Sequence, residues 1–164
     1  MRVVLEEAVR NLVSLVAETL ESEHELVDSS IWGIGYFSYL LSKKQRASLE
    51  RICEVKGWQK PRNYSITVAG RDIKHILNSR IGSDNLTVEE VISLVQSALG
   101  DSSEIVFNKK QDRQAFMLNG RKKISINGNS FYGSLIVEVE RDGLVLKTAY
   151  HLTYTKLDAL KRGR

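Results

Sequence analysis

The chain has one cysteine and one proline in 164 residues. The lone Cys53 excludes an intramolecular disulfide, a Cys-x-x-Cys redox pair and a cysteine-rich zinc site. Histidine is scarce as well: a three-His metal centre would need His24, His75 and His151 together, and His24 lies in an acidic stretch. There is no Walker loop, Gly-x-Gly-x-x-Gly, His-Glu-x-x-His or EF-hand loop. No metal and no cofactor are therefore expected. No run approaches the roughly 20 apolar residues that cross a bilayer, and Glu6 and Glu7 interrupt any signal-peptide core, so a soluble chain with no membrane-spanning segment is expected.

What is present suits a globular chain, with 42% hydrophobic and 27% charged residues. A chain of this length can bury a core without disulfides or metal. Lys and Arg number 24 against 20 Asp and Glu, but unevenly. The first 30 residues carry two basic and seven acidic side chains. Up to residue 60 the count is 8 against 9, and from Pro61 onward it is 16 against 11. The positive charge that attracts phosphates or acidic proteins belongs to the second part.

Apolar residues at Val4, Leu5, Ala8, Leu12, Leu15, Val16 and Leu20 predict a helix from Arg2 to about Val27, acidic on its other face. Asp28-Ser29-Ser30 offers caps for a second helix through Trp32, Tyr36, Phe37, Tyr39 and Leu40. Ser42 reads as the N-cap of a third, with Leu49, Ile52, Cys53 and Val55 inward and Gly57 at its end. The only proline, Pro61, marks a change of pattern. Residues 1–60 are thus read as a helical lead-in of three helices, and 61–164 as an α+β domain.

In that domain Tyr64–Val68 reads as a strand, and Gly70–Arg80 as a helix with Ile73, Ile76 and Leu77 on one face. Thr87-Val88-Glu89-Glu90 is a capping box opening a further helix. After Gly100 the period becomes that of strands: Glu104–Phe107, Gln114–Leu118, Lys123–Ile126, Leu135–Glu140 and Leu144–Leu152. A helical turn, Lys156–Leu160, precedes a basic tail. The fold class is α+β, with two helices packed on an antiparallel sheet.

Asp142-Gly143 predicts a tight final hairpin with Arg141 opposite Leu144. Strict alternation then pairs Val139 with Leu146, Val137 with Thr148 and Leu135 with Tyr150 on an apolar face. It pairs Glu138 with Lys147 and Ser134 with His151 on a polar one. A bulge would change this.

RNA carries its own nucleophile, the 2′-hydroxyl, so its cleavage needs only a base, an acid and positive charge or hydrogen-bond donors around the phosphate. Two stretches supply such groups: Lys74-His75 with Arg80, and Lys147-Thr148-Ala149-Tyr150-His151. At these residues the chain resembles a family. Arg71-Asp72-Ile73-Lys74-His75-Ile76-Leu77, then Leu86-Thr87-Val88-Glu89-Glu90, then Leu135-Ile136-Val137-Glu138-Val139 and Val145-Leu146-Lys147-Thr148-Ala149-Tyr150, look like the barnase, EndoU, colicin and RelE-like ribonuclease fold. More narrowly, the stretch Ile66–Tyr154 is similar to the C-terminal nuclease domains of phage head-morphogenesis proteins and of bacterial polymorphic, contact-dependent inhibition toxins.

The resemblance implies a metal-independent RNA endonuclease toxin, acting on RNA such as tRNA in the bacterial cytoplasm after delivery from a secreted or phage-borne larger protein. A cognate immunity protein or antitoxin would block it. Carried over, His75 would be the general base or acid, and Thr148 and Tyr150 would position the phosphate. Lys147 or Arg80 would place positive charge on the transition state. Arg80, Arg121, Lys122 and His151 would contact RNA. Alternation sets Thr148 and Tyr150 on the apolar face and Lys147 and His151 on the other, so the active face stays open.

Each residue also has a plain reading. His75 serves as well at the wet edge of an amphipathic helix, Lys147 as the ion-pair partner of Glu138, and Tyr150 as core opposite Leu135. Arg121-Lys122-Lys123 reads as a solvated turn. The aromatic group Trp32, Tyr36, Phe37 and Tyr39 reads as helix-bundle core ahead of a base-stacking platform. The alternatives in function are a non-catalytic RNA- or protein-binding module, and a phage-associated structural or adaptor domain.

Overall fold

Apolar residues at helical spacing build the first helix, α1 (Arg2–Ser22); Leu12 and Val16 of the expected stripe are buried together with Val9 and Val13, whereas Val4 and Leu15, expected inward, are exposed. A computed structural model of the chain describes residues 2–22, 35–107 and 114–161. The caps expected at Asp28-Ser29-Ser30, as well as Trp32 and the end of the basic tail, lie outside the described residues.

The second expected helix is corrected: Tyr36–Leu40 is a strand, β1. Gly35 precedes it at φ +127°, a conformation no helix continues from. Its aromatic residues alternate, with Tyr36, Ser38 and Leu40 exposed and Tyr39 buried, as a half-covered strand requires. Helix α2 (Lys43–Lys56) then starts as expected. The Ser42 hydroxyl accepts from the Gln45 N–H, the Gln45 side chain accepts from the Ser42 N–H, and Gly57 ends the helix at φ +70°. Leu49 and Cys53 point inward, whereas Val55, expected inward, is 75% exposed because it falls off their stripe.

Next come β2 (Ser65–Ala69), α3 (Gly70–Asp84), α4 (Val88–Ala98), β3 (Glu104–Phe107), β4 (Ala115–Ile126), β5 (Asn129–Val139), β6 (Leu144–Leu152) and α5 (Tyr154–Lys161). The strands form one six-stranded sheet in the order β1-β2-β6-β5-β4-β3. Neighbours are antiparallel except β2 and β6, which run parallel, so the sheet is mixed rather than purely antiparallel. The α+β class holds.

The Thr87 capping box starts α4, whose Val91, Ile92, Leu94, Val95 and Ala98 are buried. Gly120 and Gly133 let this helix lie directly on β4 and β5: a Cβ on either would run into the backbone of Ser97 or Leu94. Asn127 and Gly128, both at positive φ, make the tight turn that joins β4 to β5.

One buried cluster joins α1, β1 and α2 to the helix-bearing face of the sheet, including Val13, Tyr39, Leu49, Ile66, Ile76 and Val137. Among the described residues before Pro61, α1, β1 and α2 all belong to this core, which runs through the expected boundary instead of stopping there. Buried Gln45 fastens the join. It accepts from the Tyr39 hydroxyl at 2.8 Å and donates to the carbonyls of Gly100 and Ser103 at 2.7 and 3.0 Å. A smaller cluster lies on the opposite face, where Leu157 of α5 packs with Met117, Tyr132, Ile136 and Leu152. Among the described residues no helix is long and apolar enough to cross a membrane.

Candidate functional site

The last hairpin departs from its expected register, and that departure shapes the site. Backbone bonds link Glu140 to Gly143, so the loop is Arg141-Asp142 and Val139 stands opposite Leu144. Glu138 faces Val145 and Val137 faces Leu146, after which the register shifts and Ile136 faces Thr148. Lys147 is the extra residue of a β-bulge. Beyond it Leu135 pairs with Ala149, Ser134 with Tyr150 and Gly133 with His151.

Apolar side chains drive this arrangement, because it sends Leu144, Leu146 and Ala149 to the helix-bearing core with Val137 and Val139. Two expectations are thereby corrected. Thr148 and Tyr150 do not share the face of Val137 and Leu135; they stand beside Ile136 and Ser134 on the opposite face. Lys147 and His151 do not share a surface. Lys147 keeps its pairing with Glu138, Nζ to Oε2 at 3.8 Å, while His151 packs edge-on to Phe131 with centroids 4.8 Å apart.

Strands β2 and β6 pair at only two positions, Ile66 with Leu144 and Thr67 with Val145. Beyond them β2 passes into α3 at Gly70, while β6 continues and packs against α3. The fork opens a cleft of about 780 Å³. Thr67 lines it from β2, Arg71, Asp72 and His75 from the first turns of α3, and Lys147 and Thr148 from the bulge. A crevice where parallel strands part at their C-terminal ends is a common place for ligands in sheets with helical crossovers.

Asp72 sits at the centre of the cleft's electrostatics. Its carboxylate accepts from the Ala69 N–H at 2.9 Å, at the N-terminus of α3. Burial pushes its pKa up, while that backbone bond and the charges of Arg71, Lys147 and His75 pull against the rise. His75 is exposed at the rim. The lining is mixed in charge, since Glu140 and Asp142 stand with Asp72 against Arg71 and Lys147.

The other expected site residues lie elsewhere. Tyr150 does not line the cleft; it is half-buried, its hydroxyl is 3.8 Å from the Met117 Sδ, and burial raises its pKa despite the nearby Arg80. Arg80, near the end of α3, bonds Asp84 at 2.5 Å. With Asp84 and Glu90 it sets the field around His151, whose pKa burial lowers. Arg121 and Lys122 are on β4, separated from β6 by β5, and Arg121 pairs with Glu104 at 3.5 Å. The structure thus brings together His75, Lys147 and Thr148, places Tyr150 and His151 further along β6 and Arg80 towards the far end of α3, and sets Arg121 and Lys122 apart.

The reading of candidate residues missed Asp72, Arg71 and Thr67. Asp72 had a signal, as an acid in the third position of a helix whose preceding residue, Ala69, has no side-chain cap to offer. Among the described residues no three His, Cys, Asp or Glu side chains form a group that could hold a metal ion. Compared with protein-family models, curated proteins and solved structures, the chain finds no match in any of them.

Proposed function

We propose that the chain is a metal-independent RNA endonuclease of the toxin type, with its reaction centre in the cleft between β2, α3 and β6. One observation carries the reading: the bulge at Lys147 and the divergence of β2 gather His75, Asp72, Lys147 and Thr148, from distant parts of the chain, around one open cleft. This set supplies what transesterification of RNA requires. The 2′-oxygen bonds to the adjacent phosphorus and the bond to the 5′-oxygen breaks, leaving a 2′,3′-cyclic phosphate and a 5′-hydroxyl.

His75 exchanges a proton with the attacking or leaving oxygen, and the Asp72 carboxylate, which lines the same cleft, is the second acid–base group there. Lys147 and the Thr148 hydroxyl stabilise charge on the phosphoryl oxygens. The resemblance to toxin nucleases extends the proposal to an acidic immunity protein that occupies the cleft, and to delivery into bacterial cytoplasm.

Purified protein incubated with total RNA in EDTA is expected to yield fragments ending in 2′,3′-cyclic phosphate. His75→Ala is expected to slow that cleavage by roughly 10²- to 10⁴-fold. Intact RNA, or cleavage by His75→Ala at the original rate, would overturn the reading.

A further inference from the structure

Strand β1 presents an exposed face that continues the cleft. Residues directly opposite in an antiparallel pair point to the same side of a sheet. Tyr36 is opposite Ala69, Ser38 opposite Thr67 and Leu40 opposite Ser65, and those three partners line the cleft. The Ser38 and Thr67 hydroxyl oxygens lie 3.3 Å apart on that face. Tyr36 is 73% exposed and Leu40 66% exposed, although both belong to a regular strand. The Gly70 N–H donates to the Gly35 carbonyl at 3.3 Å, which pins the start of β1 where β2 becomes α3.

We propose that this strand face is a subsite for an unpaired nucleobase, and that the substrate is therefore single-stranded or looped RNA. The proposal rests on the ribonuclease reading of the cleft and adds the class of RNA it takes. A base has an apolar π-face and a polar edge. The Tyr36 ring with the Leu40 side chain matches the first, and the hydroxyls of Ser38 and Thr67 match the second. Where β2 pairs with β6, strand β1 lies two strand spacings, about 10 Å, from β6, and the fork widens that gap towards Tyr36 and Lys147. A strand whose phosphate sits at Lys147 reaches Tyr36 with a nucleotide one or two positions along. Inside a duplex both faces of a base are stacked, so none is left for Tyr36.

The test uses the full chain and a short fluorescein-labelled 2′-O-methyl oligouridine, which lacks the nucleophile and is not cleaved, with a blunt 2′-O-methyl duplex as competitor. Fluorescence anisotropy should show binding of the single strand, weaker by about tenfold for Tyr36→Ala and little changed for Tyr36→Phe. The duplex should compete poorly. Thermal unfolding of Tyr36→Ala should match that of the original chain, because the side chain is exposed.

Three results would overturn the proposal: no binding of the single strand, equal binding by Tyr36→Ala, or equal competition by the duplex. A dimer that Tyr36→Ala dissociates would also overturn it, by making the face a protein interface. Failures of the two readings are distinguishable. Tyr36-dependent binding by a chain that cleaves no RNA keeps the platform and removes the nuclease, whereas cleavage with a KM indifferent to Tyr36→Ala does the reverse.

Discussion

Lys147 forms an ion pair with Glu138 at 3.8 Å even though the backbone partner of Glu138 is Val145. The bulge makes this diagonal reach possible and keeps the ammonium at the cleft. Side chains of the pair are 37% and 19% exposed, so solvent screens much of their attraction. Lys147→Ala is expected to lose about 1 kcal/mol of stability or less, and to slow RNA cleavage by roughly 10²-fold. Urea denaturation and kcat/KM measured on one preparation separate the two effects. A variant that unfolds in proportion to its lost activity would make Lys147 structural only.

Two glycines should respond to alanine with opposite signs. At Gly133 a Cβ meets the Leu94 carbonyl of α4, and backbone yields poorly, so Gly133→Ala should destabilise by about 1–3 kcal/mol. At Gly82, within α3, a Cβ meets nothing within 4 Å and φ is ordinary, so Gly82→Ala should stabilise by about 0.5–1 kcal/mol through helix propensity. Chemical denaturation of both variants gives the comparison. Equal effects would mean that α4 does not rest on β5 as described.

Stability should fall as the solution is acidified below neutrality. His151 is held beside Phe131, with its Nδ1 buried and without a hydrogen-bond partner. Burial lowers its pKa from the ordinary 6.5; Arg80 adds to the lowering, while Asp84 and Glu90 oppose it. The charged imidazolium is therefore disfavoured in the folded state. Its contribution to stability is complete above 6.5 and is lost as pH drops through the lowered folded value. Asp72 acts in the opposite sense: its raised pKa favours the folded state most below 3.8 and loses that contribution as pH rises through the folded value. Melting temperatures measured from pH 7 to 5 should decline, and the decline should flatten in His151→Gln. An unchanged slope in that variant would rule His151 out as its source.

Most of the helices were legible in the sequence because their signals are local. Ser42 with Gln45, Thr87 with Glu90, and Gly57 each mark an end by their own chemistry. Tyr36–Leu40 misled because a five-residue aromatic run suits either period, and its choice was made by β2, which lies well downstream. Asp142-Gly143 looked like the tight turn, yet Asn127-Gly128 holds the two positive φ angles and Gly143 has none. That shift is of two residues and leaves each side chain on its face; the reversed faces of Thr148, Tyr150 and His151 follow from the bulge at Lys147. No local pattern signals a bulge at Lys147; it reconciles the hairpin loop with the need to bury Leu144, Leu146 and Ala149. His75, Lys147 and Thr148 were legible as residues of the right chemistry, but their shared cleft was not, because the parallel pairing of β2 with β6 leaves no trace in periodicity.

That pairing has a temporal meaning. Its two contacts join residues 66 and 144, so the cleft closes one of the longest loops in the chain, and closing long loops is slow and entropically unfavourable. A chain emerging from its N-terminus holds Thr67, Asp72 and His75 long before Lys147 and Thr148 exist. The cleft is therefore among the last features assembled during synthesis, and any chain cut short before β6 lacks it altogether.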